Sequence, residues 1–186
     1  MSEASCPRNF DQDVLPHLNA AYNLARWLTR NDQDAEDVVQ EAYLRAFRYF
    51  EGFRGGNARA WLLKIVRNTF HNRLTQSGRL EATTAFDEEV HSDRCSSPSP
   101  ETLLLQSADG QLLRQALEAL PLQYRELLIL RELEDLSYAE IADAANIPMG
   151  TVMSSLSRAR ERLRKSLAIL QRAHSNDSSG NRVGCR

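Results

Sequence analysis

Over most of this chain apolar residues recur every three or four positions, and no stretch shows the single alternation of a half-buried strand. The pattern predicts an all-α protein. A first helix is expected over about Asp11 to Thr29. A second runs from Asp34 to about Phe50, where Ala35, Val38, Val39, Ala42, Ala46 and Phe50 make one apolar face. Its first turns carry Asp34, Glu36 and Asp37, which suit the positive end of the helix dipole. Gly55 and Gly56 then break the pattern. A third helix follows from about Asn57 to Leu74, with Trp61, Leu62, Ile65, Val66 and Phe70 as its core stripe.

From Gly78 to Pro100 the periodicity collapses into a segment rich in Ser, Thr, Pro and acids, which reads as a flexible acidic linker. Helical spacing resumes near Glu101 and continues to about Ala119. Pro121 suits a first helical position and opens a helix to about Leu133. The resulting organisation is a disordered N-terminus (1–9), a helical domain (10–77), the linker (78–100), a second helical domain (101–172) and a disordered tail (173–186).

The chemistry of the chain narrows what these two domains do. The 186 residues carry a formal net charge of −2, with 42% hydrophobic and 26% charged residues, as in a soluble globular protein. No apolar run approaches the ~18–20 residues of a membrane span, and "MSEASCPRNFDQD" lacks the basic start and apolar core of a secretory signal. A cytoplasmic protein without membrane insertion of its own is expected. Cys6, Cys95 and Cys185 are odd in number and far apart, so inert thiols are favoured over a disulfide framework. His91 and Cys95 stand four apart, but two ligands alone do not make a zinc site. No nucleophile–base–acid set emerges, so neither an enzyme nor a cofactor or metal is expected.

The segment "LSYAEIADAANIPMGTVMSSLSRARERL" has the design of a helix-turn-helix. Ser137 and Glu140 stand at capping-box spacing and start a short helix. Ile141, Ala142 and Ala145 pack inward, and small alanines admit a second helix closely. "NIPMG" supplies the turn. Val152, Leu156, Ala159 and Leu163 form the buried stripe of the second helix. Thr151, Met153, Ser154, Ser157 and Arg158 are left outward near its start, where this motif reaches base edges in the major groove. Arg160, Arg162, Arg164 and Lys165 follow within reach of phosphates. The plainer alternative is a basic amphipathic helix with a solvated face.

In the first domain Asp37, Gln40, Glu41 and Leu44 share a face of the second helix. A leucine among acids and a glutamine suits a protein partner, although a solvated face is the ordinary alternative. Downstream, "FRGGNARAWLLKIVRNTFHNR" joins a Gly-rich loop to Arg54, Arg59, Lys64, Arg67 and Arg73, with aromatics interleaved. Such a surface suits a nucleic-acid backbone and unstacked bases, while Trp61 and Phe70 also fit a core role.

Taken in order, "DAEDVVQEAYLRAF", "FRGGNARAWLLKIVRNT" and "LPLQYRELLILRELEDLSYAEIADAANIPMGTVMSSLSRARERL" resemble bacterial RNA polymerase sigma factors. The likeness is to the extracytoplasmic-function group of the sigma-70 family, built from regions 2 and 4, and covers about Phe10 to Leu170. The resemblance implies a factor that binds core RNA polymerase, reads −35 and −10 promoter elements and promotes DNA melting for transcription initiation. An acidic chain then needs little DNA affinity of its own, because polymerase brings it to the promoter. Asp37, Gln40, Glu41 and Leu44 match the surface for the clamp helices of the polymerase's largest subunit. Arg54, Gly55, Gly56, Asn57, Arg59, Trp61, Lys64, Arg67 and Asn68 match the −10 site. Thr151, Met153, Ser154, Ser157, Arg158, Arg160 and Arg162 match the −35 reader. An anti-sigma factor is an implied further partner.

The linker fits that scheme. Its 23 residues extend to at most about 75–80 Å, and promoter elements about one and a half DNA turns apart lie roughly 55 Å from one another. Two departures stand out. Relatives often have a basic residue where this chain has Met153, and commonly an arginine at Ser155. The −35 sequence therefore does not transfer. A free-standing helix-turn-helix regulator and a protein-binding helical adaptor are the remaining alternatives.

Overall fold

The computed structural model describes residues 9–76 and 108–180, and all regular structure among them is helical. Residues 1–8 of the expected N-terminal segment 1–9, the linker 78–100, the start of the helix expected from Glu101, the tail beyond Gly180 and Cys6, His91, Cys95 and Cys185 lie outside the described residues.

The first expected helix is divided. Helix α1 (Phe10–Asp13) is capped by Asn9, whose side chain accepts from the Asp11 amide. A 3₁₀ turn over Leu15–His17 follows, with Pro16 inside it, and α2 spans Leu18–Thr29. Pro16 has no N–H to continue an α-helical ladder, which explains the break. The Tyr43 hydroxyl donates to the Val14 carbonyl at 3.0 Å and ties this turn to the body of the domain.

Helix α3 (Asp32–Tyr49) begins two residues earlier than its apolar stripe suggests. Asn31 caps it, accepting from the amides of Gln33 and Asp34 at 2.8 and 3.3 Å. Ala35, Val38, Val39, Ala42 and Ala46 are buried as expected. Phe50 starts a 3₁₀ turn and is half-buried, packed between Phe10 and Phe53. Gly55 and Gly56 adopt φ of 93° and 99°, a region that a side chain disfavours. They turn the chain into α4 (Ala58–Gln76), whose Leu62, Leu63, Val66 and Phe70 are buried. Helices α2, α3 and α4 pack on one another and form the first domain.

The second domain opens with α5 (Ala108–Glu118). Pro121 is the N-cap residue of α6 (Leu122–Leu128) rather than its first helical position. Ile129–Leu133 then widen into a π-type turn. Six residues in a row, Arg125 to Leu130, are buried, so this segment is enclosed on all sides. Helix α7 (Tyr138–Ala145) and helix α8 (Met149–Gly180) complete the domain. The tail expected from 173 is helical as far as Gly180, and no glycine or proline interrupts it before that residue.

The two domains are packed together. Helix α4 lies along α7, α2 meets α6, and their buried apolar residues join in one cluster.

Candidate nucleic-acid and polymerase interfaces

The capping box forms as the spacing predicts. Ser137 accepts from the Glu140 amide at 3.3 Å, and Glu140 accepts from the Ser137 amide at 2.8 Å. The Ser137 hydroxyl, which donates to the Glu140 carboxylate at 2.7 Å, acts with the Ser137 amide and Asn57 to outweigh a small burial effect and hold the Glu140 carboxyl below the usual range. Asn146 ends α7 at φ 54°, a left-handed cap. The amides of Thr151 and Val152 return to the Pro148 carbonyl at 2.9 and 3.1 Å, which starts α8.

The start of α8 divides cleanly into two sides. Val152, Leu156 and Ala159 are fully buried, whereas Thr151, Met153, Ser154, Ser157 and Arg158 are exposed. The later arginines differ in their surroundings. Arg160 donates twice to Glu132, from Nε at 3.0 Å and Nη2 at 2.7 Å. The Arg162 guanidinium sits 5.0 Å from the centre of the Tyr124 ring. Both contacts hold the side chains against their own domain.

On α3, Gln40 and Leu44 are exposed, with Leu44 at 70%. Asp37 and Glu41 flank them half-buried. Arg45 pairs with Glu41 at 2.6 Å, and Arg73 reaches Asp37 at 3.3 Å. Arg73, grouped with the nucleic-acid surface in the sequence, is thus turned towards this acidic edge instead. Phe47, one turn beyond Leu44, is 69% exposed and escaped the sequence reading. Its ring meets Phe10 edge-on, with centroids 5.3 Å apart. The signal was available: position 47 continues the row 37, 40, 44 at helical spacing.

The candidate −10 residues fall into two groups. Arg54, Gly55, Gly56 and Asn57 form an exposed turn, and Asn68 is exposed on α4. Trp61 is half-buried against Phe53, with ring centroids 4.9 Å apart. Arg59, Lys64 and Arg67 are half-buried because the second domain covers them. Arg59 pairs with Glu134, Lys64 with Asp143 at 2.8 Å, and Arg67 with Glu126. Glu126 also meets His71 at 2.9 Å. Burial pushes the Glu126 carboxyl up, but the His71 hydrogen bond and the Arg67 charge outweigh it and hold the carboxyl below its usual range. A further tie runs from Arg30, at the end of α2, to the Glu118 carbonyl. Arg125 approaches that oxygen at 3.3 Å. Burial first, and then the Arg30 charge, lower the Arg125 pKa to about 10.

These surfaces sit where two family models match. Sigma-70 region 2 covers residues 14–80, and Sigma-70 region 4 covers 110–163. The RNA polymerase sigma-H factor of Pseudomonas aeruginosa is 37% identical over 172 residues, spanning 89% of each chain. The chain belongs to the sigma-70 family, in its extracytoplasmic-function group. The ECF RNA polymerase sigma-E factor of Escherichia coli is 39% identical over 135 residues, covering 69% of this chain and 71% of the relative. SigE of Mycolicibacterium smegmatis is 34% identical, covering 89% of this chain; the match spans 64% of that longer relative. Among solved structures, the sigma factor RpoE of Bartonella quintana, in complex with the anti-sigma factor NepR, superposes with a TM-score of 0.66 at 31% identity. That match covers 86% of this chain and 97% of the other. CnrH, in complex with the cytosolic domain of CnrY, shares the fold with a TM-score of 0.59 at 24% identity, over 86% and 88% of the two chains. The family role is that of a sigma factor: it gives RNA polymerase its promoter specificity. Among the described residues, no helix is long and apolar enough to cross a membrane.

Proposed function

We propose that this sigma factor docks on core RNA polymerase through the α3 face of Asp37, Gln40, Glu41, Leu44 and Phe47. It then reads the −35 element with the start of α8 and opens the −10 element with the Arg54–Asn57 turn and the basic side of α4. One observation carries the reading. The helix-turn-helix leaves Thr151, Met153, Ser154, Ser157 and Arg158 exposed while the alternate stripe of the same helix is buried. That is the division a major-groove reader needs.

Opening the −10 element follows from binding alone, because the factor acts without catalysis of its own. Taking a base out of the stack costs a few kcal/mol, and a stacking or pocket contact returns ~1–3 kcal/mol per base. Positive φ at Gly55 and Gly56 supports a tight turn in which backbone approaches a captured base. Polymerase contacts supply the remainder and fix the register of both domains. The work is placed in the cytoplasm, where the polymerase acts, and an anti-sigma partner is proposed by analogy with the complexed relatives.

A gel-shift experiment with a responsive promoter tests the whole scheme. The expected result is a specific shift with core polymerase plus the chain, and none with the chain alone. A specific shift without polymerase would instead make the chain a free-standing regulator. No shift in either case would leave a protein-binding adaptor.

A further inference from the structure

The exposed side of α8 is not uniform in chemistry. At about 100° per residue, Ser154 and Ser157 stand opposite the buried stripe of Val152, Leu156 and Ala159. Thr151 and Arg158 lie on one flank of that serine pair, and Met149 and Met153 lie on the other. Met149 is 53% exposed and Met153 51%. Two apolar side chains one turn apart thus stand half in water at the end of the helix that reads base edges. Arg160 continues the same flank, but its guanidinium already makes two hydrogen bonds to Glu132. The middle of the exposed side is low: Gly150, Ser154 and Ser157 carry small side chains or none, and a Cβ on Gly150 would meet nothing within 4 Å.

The chemistry of methionine limits what this flank can recognise. Its thioether has no donor and is only a weak acceptor, so it neither neutralises phosphate nor tells apart the polar groups of the base edges. The one methyl group in the major groove belongs to thymine, at C5. An unbranched side chain with three rotatable bonds adapts to such a target. A lysine or arginine in the same place would hold phosphate on any sequence, whereas a methionine makes the contact depend on the base. We infer that Met153, with Met149 extending its apolar flank, reads the C5-methyl of a thymine in the −35 element. The inference rests on the assignment of the start of α8 to that element and adds the base that one side chain selects. Thr151, which also carries a methyl group, is the competing reader from the opposite flank.

Holoenzyme reconstituted from core polymerase and the full chain tests this on a responsive promoter. Each thymine of the −35 element, on either strand, is replaced in turn by deoxyuridine. The replacement deletes the C5-methyl and keeps O4 and the pairing edge. Gel-shift titration at fixed salt reads the affinity, and circular dichroism checks folding of each variant. One replacement is expected to weaken wild-type binding about fourfold, the loss for one methyl-sized group no longer buried. Met153→Ala should be indifferent to that replacement, while Met153→Leu stays sensitive; Met153→Ser serves if the alanine variant fails to fold. A Met153 that only supported the helix would weaken every version of the promoter alike and leave the deoxyuridine penalty in place, which overturns the inference. It is equally overturned if no replacement weakens wild-type binding by about twofold or more, or if the penalty disappears in Thr151→Ser. The assignment of α8 is read separately, by exchanging whole base pairs of the element. Base-selective losses that change with Arg158→Ala keep α8 as the reader even where deoxyuridine has no effect.

Discussion

Arg158 projects from the exposed side of α8, and among the described residues it has no ion-pair partner. Arg160, two positions on, is tied by two hydrogen bonds to Glu132. Sequence alone could not separate them, because both belong to one arginine run and the distinction depends on Glu132, 28 positions earlier in the π-type turn after α6. Arg158→Ala is expected to cost ~1–3 kcal/mol of promoter binding if its guanidinium makes a two-bond contact to a base. The loss should concentrate at one or two promoter positions, read by comparing polymerase binding to promoters altered base by base. Arg160→Ala should act differently, releasing Glu132 and weakening binding evenly across promoters. An even loss for Arg158→Ala would make that residue a phosphate anchor.

At the scale of elements the apolar stripes gave the helices reliably, since burial of one side is what selects a helix and its register. The stripes of α3 and α8 are buried as the spacing requires, apart from Phe50 and Leu163, which are half-buried. What the stripes missed were local backbone events. Pro16 divides the first helix, and a π-type turn follows α6. Such events depend on single donors and on packing from several sides, which periodicity does not encode. The α3 face and the Arg54–Asn57 turn carry one expectation each. Leu44→Ala combined with Phe47→Ala should lower polymerase affinity at least tenfold in a pull-down, while thermal stability changes little, because both side chains are mostly in water already. Replacing Arg54–Asn57 with an uncharged flexible turn of equal length should leave polymerase binding intact and remove opening at the −10 element. Permanganate reactivity of unpaired thymines measures that opening, and unchanged reactivity would reduce the segment to an interhelical connection.

For the whole molecule, the two domains were legible and their mutual packing was not. Each domain carries its own periodicity, but the acids and bases that join them are separated by 55 to 79 positions and share no spacing rule. The one available sign was the charged pair Arg125–Glu126 inside an apolar run, which needs partners when enclosed. Glu126 supplies the last expectation, a dependence of closure on pH. Its carboxyl is held below the ordinary value of 4.5 in the closed form and returns towards that value when the domains part. A carboxyl with a depressed pKa contributes stability that is fully present above its ordinary pKa and lost as pH falls through the depressed one. Arg67 and His71 face it across the domain boundary, and acid does not remove the charge of the Arg67 guanidinium. The radius of gyration should therefore stay constant from neutral pH down to the carboxylate range, then rise as Glu126 takes up a proton. Far-ultraviolet circular dichroism over the same range distinguishes this opening from loss of helix. The Glu126→Gln chain should already be expanded at neutral pH and show no such step, whereas a step of equal size in that variant would assign the transition to other carboxylates.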